Sequence, residues 1–368
     1  MGINELDLAK LTAPLLEWYD NHKRELPWRS APTPYRVWVS EIMLQQTRVE
    51  AVKPFFERFT KCLPSVADLA ECPEDELLKL WEGLGYYNRV RNMQKAARQV
   101  MEEYDGSLPA NYDALLHLQG IGNYTAGAIA SIAYGIPVPA VDGNVLRILT
   151  RVAADDTDIM KASFRKQIEA QLMAYMNSSE FNPAWSGAYN QALMELGATV
   201  CVPNGAPHCN ECPWHTFCMA RKQSRIAELP VKKKAKERRI EEKTVLVIRD
   251  GNRVAIRKRP KKGLLAGLYE LPNVEGRLSQ DEVLEKVKEI GLSPIRIQKL
   301  SDAKHIFSHV EWHMEGYAIL IEESEEQIEE LLFVEAWDSK ERYAIPAAFS
   351  VYAGYMGIKI GQEKFLEE

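Results

Sequence analysis

The sequence predicts a protein of two lobes, in which an all-helical lobe is followed by an α+β lobe. A length of 368 residues exceeds one ordinary domain of about 150 residues and favours more than one core. Up to about residue 222, cap residues and apolar positions recur at helical spacing. After about residue 243, apolar and polar residues alternate, which is typical of strands.

Composition narrows the class further. The chain is 46% hydrophobic, 9% aromatic and 27% charged, which excludes a disordered or collagen-like protein. No apolar run approaches the roughly 18 residues that span a bilayer. The first seven residues also lack the profile of a signal peptide. We therefore expect a cytoplasmic protein, associated with the nucleoid if bacterial, that has no membrane contact.

Charge is distributed unevenly along the chain. The net charge is −6, which argues mildly against a nucleic-acid partner. However, residues 221–262 carry 17 Lys and Arg against 5 Asp and Glu, whereas 1–220 carry 19 against 26 and 263–368 carry 10 against 21. This basic stretch contains Lys232–Lys236 and predicts an interdomain linker over 223–242. Such a stretch can bind phosphates despite an acidic total, because screening makes phosphate contacts local.

Helix boundaries are marked by cap residues. Thr33-Pro34 fits an N-cap followed by proline at the first helical position. Ser65 with Asp68 predicts a capping box, and Thr47 with Glu50 predicts another. Leu44-Gln45-Gln46 is therefore expected at a turn between two helices.

The second lobe is predicted from period-two alternation. Strands over 243–248 and 253–256, with a turn at Asp250-Gly251-Asn252, read as a β-hairpin. A helix is expected from Ser279 to Ile290, ending at Gly291, and a further strand over Val310–Met314. These elements complete an α+β module.

Four of the six cysteines lie close together. Cys201, Cys209, Cys212 and Cys218 follow the spacing C-x7-C-x2-C-x5-C, which in a cytosolic chain indicates metal binding rather than disulfides. Such a site could hold either Zn²⁺ or a [4Fe–4S] cluster. The single CxxC knuckle favours iron–sulfur, because a zinc ribbon usually has two. The other two, Cys62 and Cys72, are interpreted as core residues.

A glycine-containing turn lies between two predicted helices. Gly120 and Gly122 stand in Leu118–Ala126, where glycine allows a tight turn and close approach of backbone N–H groups to an anion. A DNA phosphate would fit there. The alternative is a simple corner between helices, and a lone Gly-x-Gly favours that alternative.

Two carboxylates are candidate catalysts. Asp142 precedes a helix and could serve as an N-cap, a catalyst or both. Glu41 lies in a strongly apolar helix, where a buried position would raise its pKa and suit a general acid. The alternative for Glu41 is a solvent-facing helical position.

Five segments give the chain a resemblance to a known family. They are Leu26–Arg29, Trp38–Thr47, Trp81–Tyr87, Val141–Val145 and Phe307-Ser308-His309. With the glycine turn and the four cysteines, they make the chain resemble the helix–hairpin–helix DNA glycosylase superfamily and, almost end to end, the adenine DNA glycosylases. The resemblance implies a helical catalytic domain over 1–222, with the helix–hairpin–helix at about 111–134 and a [4Fe–4S] loop at 201–218, and a Nudix-like domain over 243–368.

The implied activity is removal of adenine paired with 8-oxoguanine or guanine in duplex DNA. The target base is flipped out of the stack, and its N-glycosidic bond is cleaved through an oxocarbenium-like sugar. Bifunctional relatives of the endonuclease III type carry a nucleophilic Lys where this chain has Tyr124, which cannot form a Schiff base. We therefore expect a monofunctional glycosylase that acts as a monomer.

The resemblance also assigns roles to residues. Glu41 would be protonated and donate to adenine N7, while Asp142 would stay ionised and stabilise the sugar cation or attack it. Tyr124 and Asn144 would orient Asp142. DNA contacts would come from Arg29 near the leaving base, from Tyr86 as a wedge, and from Leu44, Gln45 and Gln46 in the disrupted duplex, with Gly120 and Gly122 at the backbone.

The C-terminal lobe resembles a Nudix domain whose catalytic segment is altered. In Leu284–Glu289 a Lys replaces an expected metal-binding Glu, which makes nucleotide pyrophosphohydrolysis unfavourable. Phe307, Ser308 and His309 match the loop that reads 8-oxoguanine in the family, the alternative being a plain hairpin turn. Two further alternatives stay open, a glycosylase with lyase activity and a non-catalytic DNA-binding module holding zinc. The Cys201–Cys209 spacing is one residue longer than in the family.

Overall fold

The computed structural model describes residues 2–233, 237–322, 328 and 330–357. The chain forms two compact units. The first comprises Met1–Glu71 and Asn92–Lys234, and the second comprises Cys72–Arg91 and Ala235–Glu368. The predicted basic run at Lys232–Lys236 lies partly outside the described residues, since 234–236 are not described.

The first unit is all-helical, as predicted. Its helices are α1 (Leu8–His22), α2 (Pro34–Leu44), α3 (Val49–Cys62), α4 (Val66–Glu71), α6 (Asn88–Glu103), α7 (Tyr112–His117), α8 (Asn123–Ala128), α9 (Gly143–Ala153), α10 (Ala162–Met176), α11 (Ser186–Thr199) and α12 (Met219–Lys222). Between α4 and α6 lies α5 (Glu74–Leu80), which belongs to the second unit, and the boundary at residue 91 falls inside α6.

Several helix starts follow their sequence signals. Thr33 caps α2 by accepting from the Arg36 N–H at 3.3 Å, with Pro34 at the first helical position. Ser65 and Asp68 bond each other reciprocally. The predicted box of Thr47 with Glu50 is wrong, because α3 begins at Val49 after Arg48 with no side-chain cap.

The core of the first unit is built where α1, α9 and α11 pack together. Leu15, Ile148 and Leu193 are buried there together with Trp214 from the cysteine loop. The indole of Trp214 donates to the Leu11 carbonyl at 2.8 Å, which satisfies its only polar group. Cys72 is buried as predicted, but the core assignment of Cys62 is wrong, since it is exposed at the end of α3.

The second unit is built on a mixed eight-stranded sheet. Its strands are β1 (Arg239–Asp250), β2 (Arg253–Lys258), β3 (Tyr269–Glu270), β4 (Asn273–Glu275), β5 (Pro294–Lys299), β6 (Ala303–Ile306), β7 (Val310–Ile321) and β8 (Leu332–Glu335), and its further helices are α13 (Gln280–Glu289), α14 (Ala336–Glu341) and α15 (Ala353–Met356). The order β3-β2-β1-β7-β5 has one parallel pair, β1 with β7, with β4, β6 and β8 added at the sides.

The predicted hairpin and helix of this unit are confirmed. Asp250 pairs with Arg253, so Gly251 and Asn252 form a two-residue turn. Ser279 caps α13 in a capping box with Glu282, and the helix stops before Gly291, whose φ of +86° favours glycine.

Residues 72–91 are held in the second unit by buried polar contacts. Glu82 is fully buried and accepts from the Ile345 N–H at 2.8 Å and from Lys79 at 2.9 Å. Lys79 also donates to the carbonyls of Ser339 and Tyr343, both at 2.9 Å. No helix in the described part of the chain has the length and apolar character needed to cross a membrane.

Candidate active site

A cavity of about 590 Å³ in the first unit brings the predicted catalytic residues together. Their segments are far apart in sequence: the end of α2, the start of α8 and the start of α9. Eight predicted site residues line it: Arg29, Glu41, Leu44, Gln45, Gln46, Tyr124, Asp142 and Asn144. The cavity is therefore the candidate active site.

Glu41 lies on the buried side of α2, with 5% of its surface exposed. A solvent-facing position is thereby excluded. The Tyr124 hydroxyl donates to its Oε2, whereas we expected Tyr124 to orient Asp142. Burial raises the pKa of Glu41 to about 7, although the Tyr124 bond and the charge of Arg29 act in the opposite direction. The side chain can therefore hold a proton near neutral pH.

Asp142 is the N-cap of α9, which is one of the two roles considered for it, and it also lines the cavity. Its Oδ1 accepts from the Val145 N–H at 2.8 Å, and its Oδ2 accepts from the Asn144 amide at 2.7 Å. Burial raises the pKa of Asp142, but these hydrogen bonds and the positive end of the helix favour its ionised form. The two carboxyl groups thus differ in their number of donors.

Asn144 is itself fixed from behind. Its Oδ1 accepts from Arg147 at 2.7 Å, and Arg147 also donates to the carbonyls of Gly197 and Cys201, both at 2.8 Å. Gly197 leaves little space, because a Cβ there would lie 2.5 Å from the Cβ of Asn144. A chain of contacts therefore runs from Cys201, the first of the four clustered cysteines, through Arg147 and Asn144 to Asp142.

The polar residues of the cavity that the sequence did not predict include Glu195 and Gln191. Glu195, on α11, accepts from Arg24 and Arg29, and Gln191 accepts from Arg29 at 3.2 Å. The available signal was Glu195 between Met194 and Leu196, a carboxylate in an apolar helix like Glu41.

The predicted turn lines the cavity and consists of Gln45 and Gln46, whereas Leu44 is the last residue of α2. Gln46 is exposed and has a left-handed φ of +63°. A non-glycine residue in that region is strained, and such residues cluster at functional sites. The amide side chain is thus held outside the helix.

The glycine turn joins α7 to α8, as the helix–hairpin–helix prediction requires. Gly120 has a φ of +77°, and a Cβ there would lie 2.7 Å from the Cβ of Asn92, so local packing already explains this glycine. Gly122 is exposed with a negative φ and open space where a side chain would be. Packing within the chain therefore does not explain Gly122.

The four cysteines of the predicted cluster loop line a common small cavity of about 30 Å³. All four are free thiols, and an Arg151 nitrogen lies 3.3 Å from the Cys201 sulfur. Among the described residues, no three His, Cys, Asp or Glu side chains form a group that could hold a single metal ion.

The remaining predicted DNA contacts lie in the second unit. A cavity of about 620 Å³ there is lined by Tyr86 and by the turn that carries Phe307, Ser308 and His309. The Ser308 hydroxyl donates to the Tyr86 hydroxyl at 3.3 Å. Phe307 packs edge-on against Trp312, with ring centroids 4.9 Å apart. The turn therefore has an anchored aromatic and two exposed polar side chains.

Tyr86 is half exposed and has a left-handed φ of +48°. Arg89 stabilises this conformation. Its guanidinium lies 5.6 Å from the centre of the Tyr86 ring and donates to the Leu84 and Gly85 carbonyls at 3.0 and 3.1 Å. The half-exposed Tyr86 side chain is thus held by a turn that the contacts of Arg89 stabilise.

Much of the positive charge in residues 221–262 is neutralised locally. Arg257 and Arg259 both pair with the buried Glu270, and Arg253 pairs with Asp250. On α13, Lys286 pairs with Glu289 at 2.6 Å, so one carboxylate of the altered Nudix segment already has a cation. Exposed cations within the predicted linker include Lys232, Lys233 and Arg238.

Comparisons with known proteins identify a known family for each part of the chain. Residues 39–177 match the family described as HhH-GPD superfamily base excision DNA repair protein, and residues 244–353 match the NUDIX domain. The structure is similar to that of a thermostable thymine-DNA glycosylase, with a TM-score of 0.51 and 25% identity over 58% of this chain and 97% of that one. The class is a helix–hairpin–helix DNA glycosylase with an appended Nudix-like domain.

The sequence comparisons are more specific. The adenine DNA glycosylase of Mus musculus is 35% identical over 86% of this chain and 72% of its own length. That of Buchnera aphidicola subsp. Schizaphis graminum is 35% identical over 82% of this chain and 84% of its own length. The chain belongs to the adenine DNA glycosylases, as the sequence motifs predicted.

The contact of Gly197 with Asn144 generates a prediction. Gly197→Ala places a methyl group where Asn144 now lies and shifts the amide that holds Asp142. We expect the single-turnover glycosylase rate to fall roughly tenfold or more, because small displacements of catalytic groups are costly. Gly354→Ala, which has open space around it, is the matched control and should leave the rate unchanged. An unaltered rate in Gly197→Ala would contradict the positioning of Asp142 by Asn144.

Proposed function

We propose that this protein removes adenine paired with 8-oxoguanine or guanine in duplex DNA and leaves an abasic site. The observation that carries the proposal is the pair of carboxyl groups in one cavity, Glu41 and Asp142. Burial raises the pKa of both, but hydrogen bonds from Val145 and Asn144 oppose that effect at Asp142. Cleavage of an N-glycosidic bond requires such a pair, one to protonate the leaving base and one to stabilise the sugar.

Glu41 is the general acid. Because Tyr124 engages Oε2, Oε1 can carry the proton that passes to N7 of adenine. The bond between N9 and the sugar carbon then breaks, and its electron pair leaves with the protonated base. A pKa near 7 matches this task, since the acid is protonated at neutral pH yet gives up its proton readily.

Asp142 is the stabilising carboxylate. Hydrogen bonds from the Val145 N–H and the Asn144 amide favour its ionised form and fix its orientation. The negative charge lowers the energy of the oxocarbenium-like sugar until water adds and loses a proton.

The reaction stops at the abasic site because the position of the lyase nucleophile is held by Tyr124. A phenol bound to Glu41 cannot form the Schiff base through which bifunctional relatives cut the strand. The protein is therefore proposed to be monofunctional.

DNA is held by both units. Leu44, Gln45 and Gln46, at the rim of the catalytic cavity, would fill the space left by the flipped adenine. Gly122, exposed with open space around it, would bring backbone N–H groups to a phosphate, with Gly120 shaping the turn. Lys232, Lys233 and Arg238 supply exposed positive charge.

The second unit reads the lesion. Phe307 is anchored on Trp312, so Ser308 and His309 can present donors and acceptors to the altered edge of 8-oxoguanine. Tyr86, bonded to Ser308, would wedge into the duplex beside it. Ser308, which would contact the lesion, and Tyr86, which would enter the duplex, are thus hydrogen-bonded within one unit.

The cysteines of the loop at 201–218 are proposed to hold one [4Fe–4S] cluster. Four thiols around a common cavity match the donor set of such a cluster, and homologues of the endonuclease III and adenine glycosylase type are generally iron–sulfur proteins. When bound, the cluster would supply a rigid crosslink of the loop, whose Cys201 carbonyl holds Arg147.

The proposed activity is tested with duplexes that carry adenine opposite 8-oxoguanine, G, C or T. We expect abasic sites opposite 8-oxoguanine and G, with strand cleavage only after alkali. Glu41→Gln and Asp142→Asn should each lower the rate roughly 10²-fold or more while DNA binding persists. Wild-type rates in both variants would refute the assignment. A borohydride-stable DNA crosslink as efficient as that of a lyase would refute monofunctional chemistry.

The reading of the lesion makes a separate prediction. In Ser308→Ala with His309→Ala, the preference for 8-oxoguanine:A over G:A should fall about tenfold, as expected for the loss of one or two hydrogen bonds. The measurement is the ratio of single-turnover rates on the two duplexes. Ser301→Ala, an exposed serine of the same unit, is the control. An unchanged ratio in the double variant would mean that this turn is an ordinary hairpin.

The metal content of the purified protein distinguishes the cluster from zinc. We expect a visible absorption band and about four irons per chain, since a cluster of this type contains four. Cys212→Ser should lose the iron and destabilise the loop. Cys62→Ser, at an exposed position on α3, should retain both the iron content and the stability of the loop. One zinc per chain without a visible band would overturn the proposal.

A further inference from the structure

Glu195 is a buried charge that the proposed reaction has not yet used. Only 1% of its surface is exposed, yet its carboxylate accepts four hydrogen bonds. Arg24 donates its backbone N–H at 3.1 Å, its Nε at 2.7 Å and one Nη at 3.1 Å, and Arg29 donates at 2.8 Å. Burial alone would raise the pKa of Glu195, but the arginine bonds hold it below its usual value. The carboxylate is therefore ionised in the folded protein.

Arg29 has its position fixed by these contacts. It bonds Glu195, the Gln191 amide oxygen at 3.2 Å and the Arg24 carbonyl at 2.9 Å. Its guanidinium also lies 5.6 Å from the centre of the Tyr19 ring. A planar cation with partners on several sides has little freedom to turn toward another anion.

The anion that Arg29 would otherwise meet is Glu41. Both residues line the catalytic cavity, and the charge of Arg29 already opposes the effect of burial on Glu41. The titratable and charged groups around that cavity are Arg24, Arg29, Tyr124, Asp142, Arg165 and Glu195. Of these, Arg165 bonds the Val141 carbonyl at 2.7 Å, and Arg24 shares Glu195 with Arg29.

We propose that Glu195 is a positioning residue for the glycosylase reaction. Its carboxylate holds and neutralises Arg29 beside the cavity, so that Arg29 does not pair with Glu41 and Glu41 keeps the proton that the leaving adenine needs. This inference rests on the proposed function, in which Glu41 is the general acid. It explains why a carboxylate is buried in the apolar α11 next to the active site.

The test is the pH dependence of single-turnover adenine excision from an 8-oxoguanine:A duplex. The wild-type rate should fall as pH rises through about 7, because Glu41 must be protonated. Glu195→Gln keeps the shape but leaves the charge of Arg29 uncompensated, which favours ionised Glu41 and moves the fall to lower pH. A shift of about one pH unit makes the loss of rate at pH 8 roughly tenfold larger than the loss at pH 5.5.

Two further variants separate positioning from structure. Glu195→Asp retains the charge and should keep the wild-type midpoint even where its rate is lower. Arg29→Gln removes the cation and should move the fall to higher pH, which also decides the matter if Glu195→Gln does not fold. A Glu195→Gln rate that is lower by the same factor at every pH would overturn the inference, as would an unmoved midpoint in Arg29→Gln. Failure of the wild type to release adenine would instead overturn the proposed function.

Discussion

The burial of one carboxyl group, Glu41, is the constraint on which the active site depends. A buried carboxylate is costly, so burial favours the protonated form of Glu41, and the Tyr124 hydroxyl donates to one of its oxygens. Of the neighbouring charges, that of Asp142 favours the proton on Glu41 and that of Arg29 opposes it. Glu195 pairs with Arg29 and holds it in place.

The same cavity contains a second carboxyl group, Asp142, whose hydrogen bonds favour the ionised form although burial raises its pKa as well. Asp142 has a backbone N–H, an amide and the start of α9 as its surroundings, whereas Glu41 has a single phenol. The difference lies in donor count and helix position rather than in exposure alone. Two chemically similar side chains can thereby work as acid and anion within one space.

Local signals in the sequence predicted the N-cap position of Asp142, the hairpin of β1 and β2, and helix α13. They could do so because caps and turns depend on residues that are neighbours along the chain. Glu41 could be nominated because a carboxylate in an apolar helix is conspicuous. The Tyr124–Glu41 bond and the Glu195–Arg29 pair join residues 83 and 166 positions apart, and such contacts have no local signature. The capping signal at Thr47 failed because the turn after α2 kept its residues out of the next helix.

The grouping of Cys72–Arg91 with the second unit also left no mark in the sequence, and it bears on how this architecture can be taken apart. A fragment that begins after the basic linker would lack the buried Glu82 carboxylate and leave the Ile345 N–H without its acceptor. The part of the chain after the linker is therefore expected to be less stable when it is separated from residues 72–91. Separation at the linker would remove the buried polar contacts that Lys79 and Glu82 make with the rest of the second unit.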